Sequence, residues 1–150
     1  MNRKLKEKIV IFTDGGSRGN PGPAAIGYVI KDRGGHTIKS HGETIGDTTN
    51  NEAEYRAVIA ALQKVKALLG GKKIKETEVR AHLDSELVAR QLNHEYKIEE
   101  EKLFPFFIKI WNLQIDFGKL IFQHVPREQN READKLVNEA LDVSQEKLFR

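Results

Sequence analysis

The chain has 150 residues, 39% hydrophobic and 31% charged, with 25 basic side chains, 22 acidic ones and no cysteine. These figures fit one folded domain over residues 1–150 and exclude a disordered chain, a disulfide framework, thiol catalysis and a Cys–zinc site. No run of 18 apolar residues is present, so no membrane partner is expected and a cytoplasmic location is the default; a formal charge of +3 permits a polyanionic partner without requiring one.

Lys8–Thr13 and Ala24–Ile30 are rich in Val, Ile and aromatics and read as strands. Asp32-Arg-Gly-Gly35 is a turn, and His36–Ile45 alternates as a third strand, giving an antiparallel meander. From Asn50 to Leu69 the apolar period becomes 3.6, with Val58, Ala61, Leu62, Val65, Leu68 and Leu69 in one stripe, and Gly70-Gly71 ends the helix. Glu78–Leu83 is a short strand that runs directly into a helix over Asp84–Leu92. Leu103–Ile115 is a further helix with Pro105 in its first turn, Lys119–Val125 a fifth strand, and Arg131–Val143 a final helix. This β-β-β-α-β-α-α-β-α order predicts an α/β fold with a five-stranded mixed sheet, three antiparallel strands followed by two parallel ones, with helices on both faces.

Between the first two strands stands Asp14-Gly-Gly-Ser-Arg-Gly-Asn-Pro-Gly-Pro23. A phosphate-binding Walker loop requires a lysine and a following helix, and neither is present. A wide hairpin is the expectation, in which Asp14 alone would read as a turn former. Three more acids stand at element ends. Asp84 closes one strand and opens a helix, where either it or Ser85 can cap. Glu52 and Glu54 both open the long helix, but about 200° apart on its wheel. Glu54 falls in line with the core stripe, whereas Glu52 lies on the polar face and can pair with Arg56. A carboxylate that begins a core stripe is costly unless paired or bound to a cation. Asp134, in the first turn of the last helix, borders the face that carries Val137 and Leu141. Two of these acids end strands, and that edge of an open sheet is where ligands bind. Four clustered carboxylates call for a hard divalent cation, magnesium or manganese, and two such ions about 4 Å apart clamp an in-line phosphoryl displacement.

Thr13–Pro23, Thr48-Thr-Asn-Asn-Glu-Ala-Glu-Tyr55, Leu83-Asp-Ser-Glu-Leu-Val88 and Val125-Pro-Arg-Glu-Gln-Asn-Arg-Glu-Ala-Asp134 together resemble a type 1 ribonuclease H over nearly the whole chain. The resemblance implies the ribonuclease H-like fold. It also implies endonucleolytic hydrolysis of the RNA strand of RNA–DNA hybrids with two divalent cations, Mg2+ or Mn2+, leaving 5′-phosphate and 3′-hydroxyl ends. The family's metal-binding catalytic acids correspond to Asp14, Glu54, Asp84 and Asp134. Its ribose and phosphate contacts correspond to Asn20, Thr49, Asn50 and Asn51, with Ser17 beside them. Activity on double-stranded RNA is left open, and a monomer is expected.

Three departures stand out. Glu86 occupies the place where many members have a glutamine that reads the hybrid's minor groove, and a carboxylate cannot donate as an amide does. No long loop with a mobile histidine precedes Asp134. His124 falls inside the strand pattern and reads as structural, so Arg127 is the better candidate for steering product phosphate, against a plain solvent-facing arginine. Asn93–Glu101 is short and acidic where some members carry a basic handle helix. A non-catalytic hybrid-binding module is disfavoured because binding alone has no use for a carboxylate cluster. A resolvase-like nuclease lacks support from the Asn-Pro-Gly and Thr-Asn-Asn stretches.

Overall fold

The computed structural model describes Leu5 and residues 7–148. The first four residues of the basic N-terminal run and the last two of the chain lie outside the described residues. The strands are β1 (Glu7–Ser17), β2 (Gly22–Lys31), β3 (Thr37–Thr48), β4 (Thr77–Leu83) and β5 (Lys119–His124). They form one sheet in the order β3-β2-β1-β4-β5. The β1–β2 and β2–β3 pairs are antiparallel, and β1–β4 and β4–β5 are parallel, as expected.

The helices are α1 (Asn50–Leu69), α2 (Gly71–Ile74), α3 (Glu86–Leu92), α4 (Phe104–Asp116) and α5 (Arg131–Leu148), with 3-10 turns at Glu101–Leu103 and Arg127–Gln129. One face of the sheet carries the main core, in which Ile9, Ile11, Val79, Ala81 and Leu83 meet Tyr55, Val58, Leu62, Val65, Leu103, Ile110 and Leu113. The alternation of the strands supplies one side of this core and the 3.6-residue stripe of α1 the other. The opposite face is covered by α5, whose Val137 and Leu141 pack on Ala25. Among the described residues no helix is long and apolar enough to cross a membrane.

Several expected boundaries move. β1 runs through Gly15 and Gly16 to Ser17, and β2 begins at Gly22, so the expected wide hairpin is a short turn closed by the Arg18 N–H donating to the Pro23 carbonyl at 2.8 Å. β3 continues past Ile45 to Thr48, through Gly46 at positive φ beside a register shift in the β2–β3 ladder. Gly71 opens the four-residue helix α2, and α5 runs five residues beyond Val143. Leu68, expected in the α1 core stripe, is exposed; it lies about 80° from Val58 on the wheel, at the margin of the stripe and in the last turn. Asn93 to Glu100 run as turn and coil, so the basic handle is absent from that segment.

Candidate active site

The β1–β4 ladder brings the first two acids together. Its last pair is Thr13↔Leu83, so Asp14, within β1 where the parallel ladder stops, and Asp84, just past the end of β4, follow side by side. Ser85 is the N-cap of α3, its Oγ accepting from Val88 N at 3.2 Å, and Asp84 is therefore not spent on capping.

Glu54 is delivered by α1. Thr49 caps that helix, its Oγ1 accepting from Glu52 N at 3.2 Å. The first turn lies directly on β1 because residue 15 has no side chain: a Cβ there would stand 2.2 Å from the Ala53 carbonyl oxygen and 2.6 Å from Glu54 N. Glu54 is 7% exposed and Asp14 8%. Glu52 instead turns outward and pairs with Arg56 at 3.6 Å, so the helical wheel sorted the two glutamates as the structure does.

Asp134 arrives with α5, and glycine again sets the approach. Gly27 is the cross-strand partner of Asp14, and a Cβ on it would stand 2.6 Å from the Ala133 carbonyl oxygen. Asn130, 1% exposed, fastens the entry to this helix. Its Nδ2 donates to the Thr13 carbonyl at 2.8 Å, and its carbonyl accepts from Asp134 N at 3.1 Å. Sequence reasoning passed over Asn130; the only signal was an asparagine just before a helix.

Asp14, Glu54 and Asp84 each offer a carboxylate oxygen within 4.8 Å of the other two. Asp134 stands outside that trio but lines the same cleft, of about 510 Å3, and its charge adds to the repulsion on Asp14. Burial and the neighbouring Asp84 raise the Asp14 carboxyl to about 7. Burial, then Asp14 and Asp84, hold Glu54 well above the ordinary range, although the Gly15 N–H favours its ionised form. Glu54 Oε2 is buried with no hydrogen-bond partner among the described residues. An orphaned carboxylate oxygen beside two more acids fits a hard divalent cation, which would bind the ionised forms and relieve their repulsion.

The predicted substrate residues cross-brace the β1–β2 turn and the start of α1. Ser17 N and Oγ donate to Asn50 Oδ1 at 2.9 and 3.1 Å, and Asn50 N donates to Asn20 Oδ1 at 3.0 Å. Asn51 Nδ2 donates to Glu100 Oε1 at 2.9 Å. Ser17, Asn50, Asn51 and Arg127 line the acid cleft; Glu86 does not, and pairs with Arg90 at 2.9 Å. His124 lies in the fifth strand but at its last position, one residue short of the expected end at Val125, and its exposed side chain gives no support to the structural reading. Arg18 also lines the cleft, but its guanidinium is held by Asp142 at 2.7 Å and Gln145 at 2.6 Å on α5.

A sequence family described as reverse transcriptase-like matches residues 12–140. Ribonuclease HI of Halobacterium salinarum is 41% identical over 135 residues, which cover 90% of this chain and 65% of that protein. The bifunctional protein Rv2228c of Mycobacterium tuberculosis is 37% identical over 138 residues, 91% of this chain and 36% of that protein. This chain thus spans about a third of the length of that relative and just under two thirds of the halobacterial one. Among solved structures, LC11-RNase H1 in complex with an RNA/DNA hybrid superposes with a TM-score of 0.87 at 46% identity, over 91% of this chain and 99% of that one. A family match over most of the sequence, together with superposition on nearly the whole of LC11-RNase H1, establishes that the chain belongs to the type 1 ribonuclease H family.

Proposed function

We propose that the chain is an endoribonuclease that hydrolyses the RNA strand of RNA–DNA hybrids with two divalent cations, magnesium in the first instance, and that residues 1–150 act as a single nuclease domain in the cytoplasm. The observation that carries this reading is the trio of buried Asp14 and Glu54 with half-buried Asp84, and the unpartnered Glu54 Oε2. Likeness to LC11-RNase H1, solved with a hybrid, supports the substrate class.

Asp14, Glu54, Asp84 and Asp134 would hold the ions. Bound there, divalent cations supply positive charge against the negative charge that builds on the phosphate during displacement. In the displacement a water oxygen bonds to phosphorus and gives up one proton, the P–O3′ bond breaks, and the departing O3′ takes up a proton. One product keeps a 5′-phosphate and the other a 3′-hydroxyl. The chain's own groups orient the RNA. Ser17, Asn50 and Asn51 stand on the cleft wall with the acids, braced by Asn20 and by the Thr49 cap behind them, where ribose 2′-hydroxyls distinguish RNA from DNA. Arg127, on the cleft wall, is placed to meet phosphate.

The test is a substrate panel of hybrid, duplex RNA and duplex DNA, with magnesium or manganese, followed by end-group analysis. Internal cuts confined to RNA, with phosphate on the 5′ ends, are expected on the hybrid. Products with 3′-phosphate ends, or equal cleavage of duplex DNA, would refute the reading.

A further inference from the structure

Arg18 lines the acid cleft, yet its guanidinium is committed to α5. Nη1 donates to Gln145 Oε1 at 2.6 Å and Nη2 to Asp142 Oδ1 at 2.7 Å, with the Asn138 carbonyl oxygen 3.4 Å from Nη2. Asn138, Asp142 and Gln145 follow one another at helical spacing, so they share one stripe of α5, and the planar fork of the guanidinium spans it. Among the described residues Asp142 pairs with no other cation. A fork that already faces a carboxylate and an amide is not a free cation for phosphate.

The backbone from which this side chain leaves is itself fixed. The Arg18 N–H closes the β1–β2 turn on the Pro23 carbonyl at 2.8 Å. On the other side of the turn, Ser17 N and Oγ donate to Asn50 Oδ1, and Asn50 N donates to Asn20 Oδ1. The turn is thus fastened to the start of α1 by its neighbours' bonds with Asn50 and to α5 by Arg18. These are the helices that deliver Glu54 and Asp134. We propose that Arg18 is a positioning residue of the nuclease: it ties the turn that bears Ser17 and Asn20 to the Asn138–Gln145 stripe of α5, and so holds the wall that meets the RNA strand steady against the acids. The inference rests on the nuclease reading. Asp134 is fastened independently, through Asn130 to the Thr13 carbonyl. Loss of the tie therefore loosens the wall without displacing the acid, and Arg18 governs substrate grip while the chemical step is left to the carboxylates.

The experiment compares three proteins with the wild type: Arg18→Ala, Asp142→Asn with Gln145→Ala, and Arg18→Glu with Asp142→Arg. Steady-state cleavage of hybrid is measured in magnesium, binding is measured across a salt series in calcium with Asp14→Asn added to each, and thermal melts accompany both. The first two proteins change the net charge in opposite directions, yet each should raise KM about fivefold, the loss to which the upper range of an exposed ion pair converts. Their kcat, magnesium activation and salt slope should match the wild type, and the exchanged pair should recover most of the loss in KM. A wild-type KM in Arg18→Ala, even with a lowered melting temperature, would overturn the proposal and reduce Arg18 to a contact of the fold. Tighter binding by Asp142→Asn with Gln145→Ala, at a slope steeper by about 0.9, would overturn it by making Arg18 a phosphate contact that α5 holds back. A fall in kcat with KM unchanged would overturn it by placing the effect on the acids. A wild type that does not cleave hybrid refutes the nuclease reading and this inference with it, whereas wild-type cleavage with an unaltered KM in the variants refutes this inference alone.

Discussion

Thr13 and Leu83 form the last pair of the parallel β1–β4 ladder, and the residue after each is an aspartate. The register of two strands therefore sets Asp14 beside Asp84 before any helix is considered. Glu54 completes the trio only because β1 carries a glycine where α1 begins.

Asp14→Asn and Asp84→Asn should each abolish hybrid cleavage and leave the metal-free fold as stable as wild type or more so. Each removes one of several carboxylates that repel their neighbours. Turnover near wild type at saturating magnesium, in either variant, would contradict the ligand assignment.

The two glutamates of α1 should separate. Glu54→Gln removes a buried carboxylate from the trio and should be inactive. Glu52→Gln removes a surface pair with Arg56, a loss of about 0.3–0.5 kcal/mol, and should cleave normally. Steady-state kinetics with thermal melts of both proteins decides between them.

Without divalent ions, stability should fall as pH rises from about 4 to 7. Below the ordinary Asp pKa both states of Asp14 are protonated; between 3.8 and about 7 the folded state keeps a proton that the unfolded state has lost. Above that window both are ionised and the penalty is constant. The contribution of Asp14 to the slope is at most about 1.4 kcal/mol per pH unit. Asp14→Asn should flatten the curve, and so should magnesium in the wild type. Urea titrations across the window would show a flat metal-free profile if the acids were not clustered.

Gly15→Ala should destabilise the chain by about 1–3 kcal/mol, because the new methyl meets helix backbone and not a side chain that can swing away. Activity should fall further than stability, since the same collision moves Glu54. Full activity in a destabilised variant would separate the close approach from the positioning of that acid.

Salt should weaken hybrid binding only gently. Arg18 and Arg90 are already engaged by Asp142, Glu86 and Glu95, which leaves Arg127 on the cleft wall and the lysines Lys64, Lys72 and Lys73 outside it. At about 0.9 per phosphate, the slope of log affinity on log salt should correspond to about four contacts or fewer. Binding by Asp14→Asn in calcium across a salt series measures it, and a slope of eight phosphates would reveal a basic surface elsewhere.

What was legible in the sequence was what local periodicity encodes. The alternation of β1 and β4 ended at the two aspartates, and the wheel of α1 placed Glu54 inward and Glu52 outward. What escaped depends on contacts between distant segments. The ion pair of Arg18 with Asp142 spans 124 residues, and no local pattern announces it. Asn130 matters through the carbonyl of Thr13, 117 residues away. The glycines of the opening motif read as turn formers, because a glycine that makes room for another backbone looks no different in sequence from one that bends its own. Leu68 satisfied the helical period but sat at its margin, where the extent of the covering layer decides burial.

The most direct measurement uses one hybrid labelled on the RNA strand in one reaction and on the DNA strand in another, each with magnesium or with excess chelator. The account predicts a ladder of RNA fragments in magnesium alone and an intact DNA strand throughout. Intact RNA in magnesium, or RNA cleavage that persists in chelator, would contradict it.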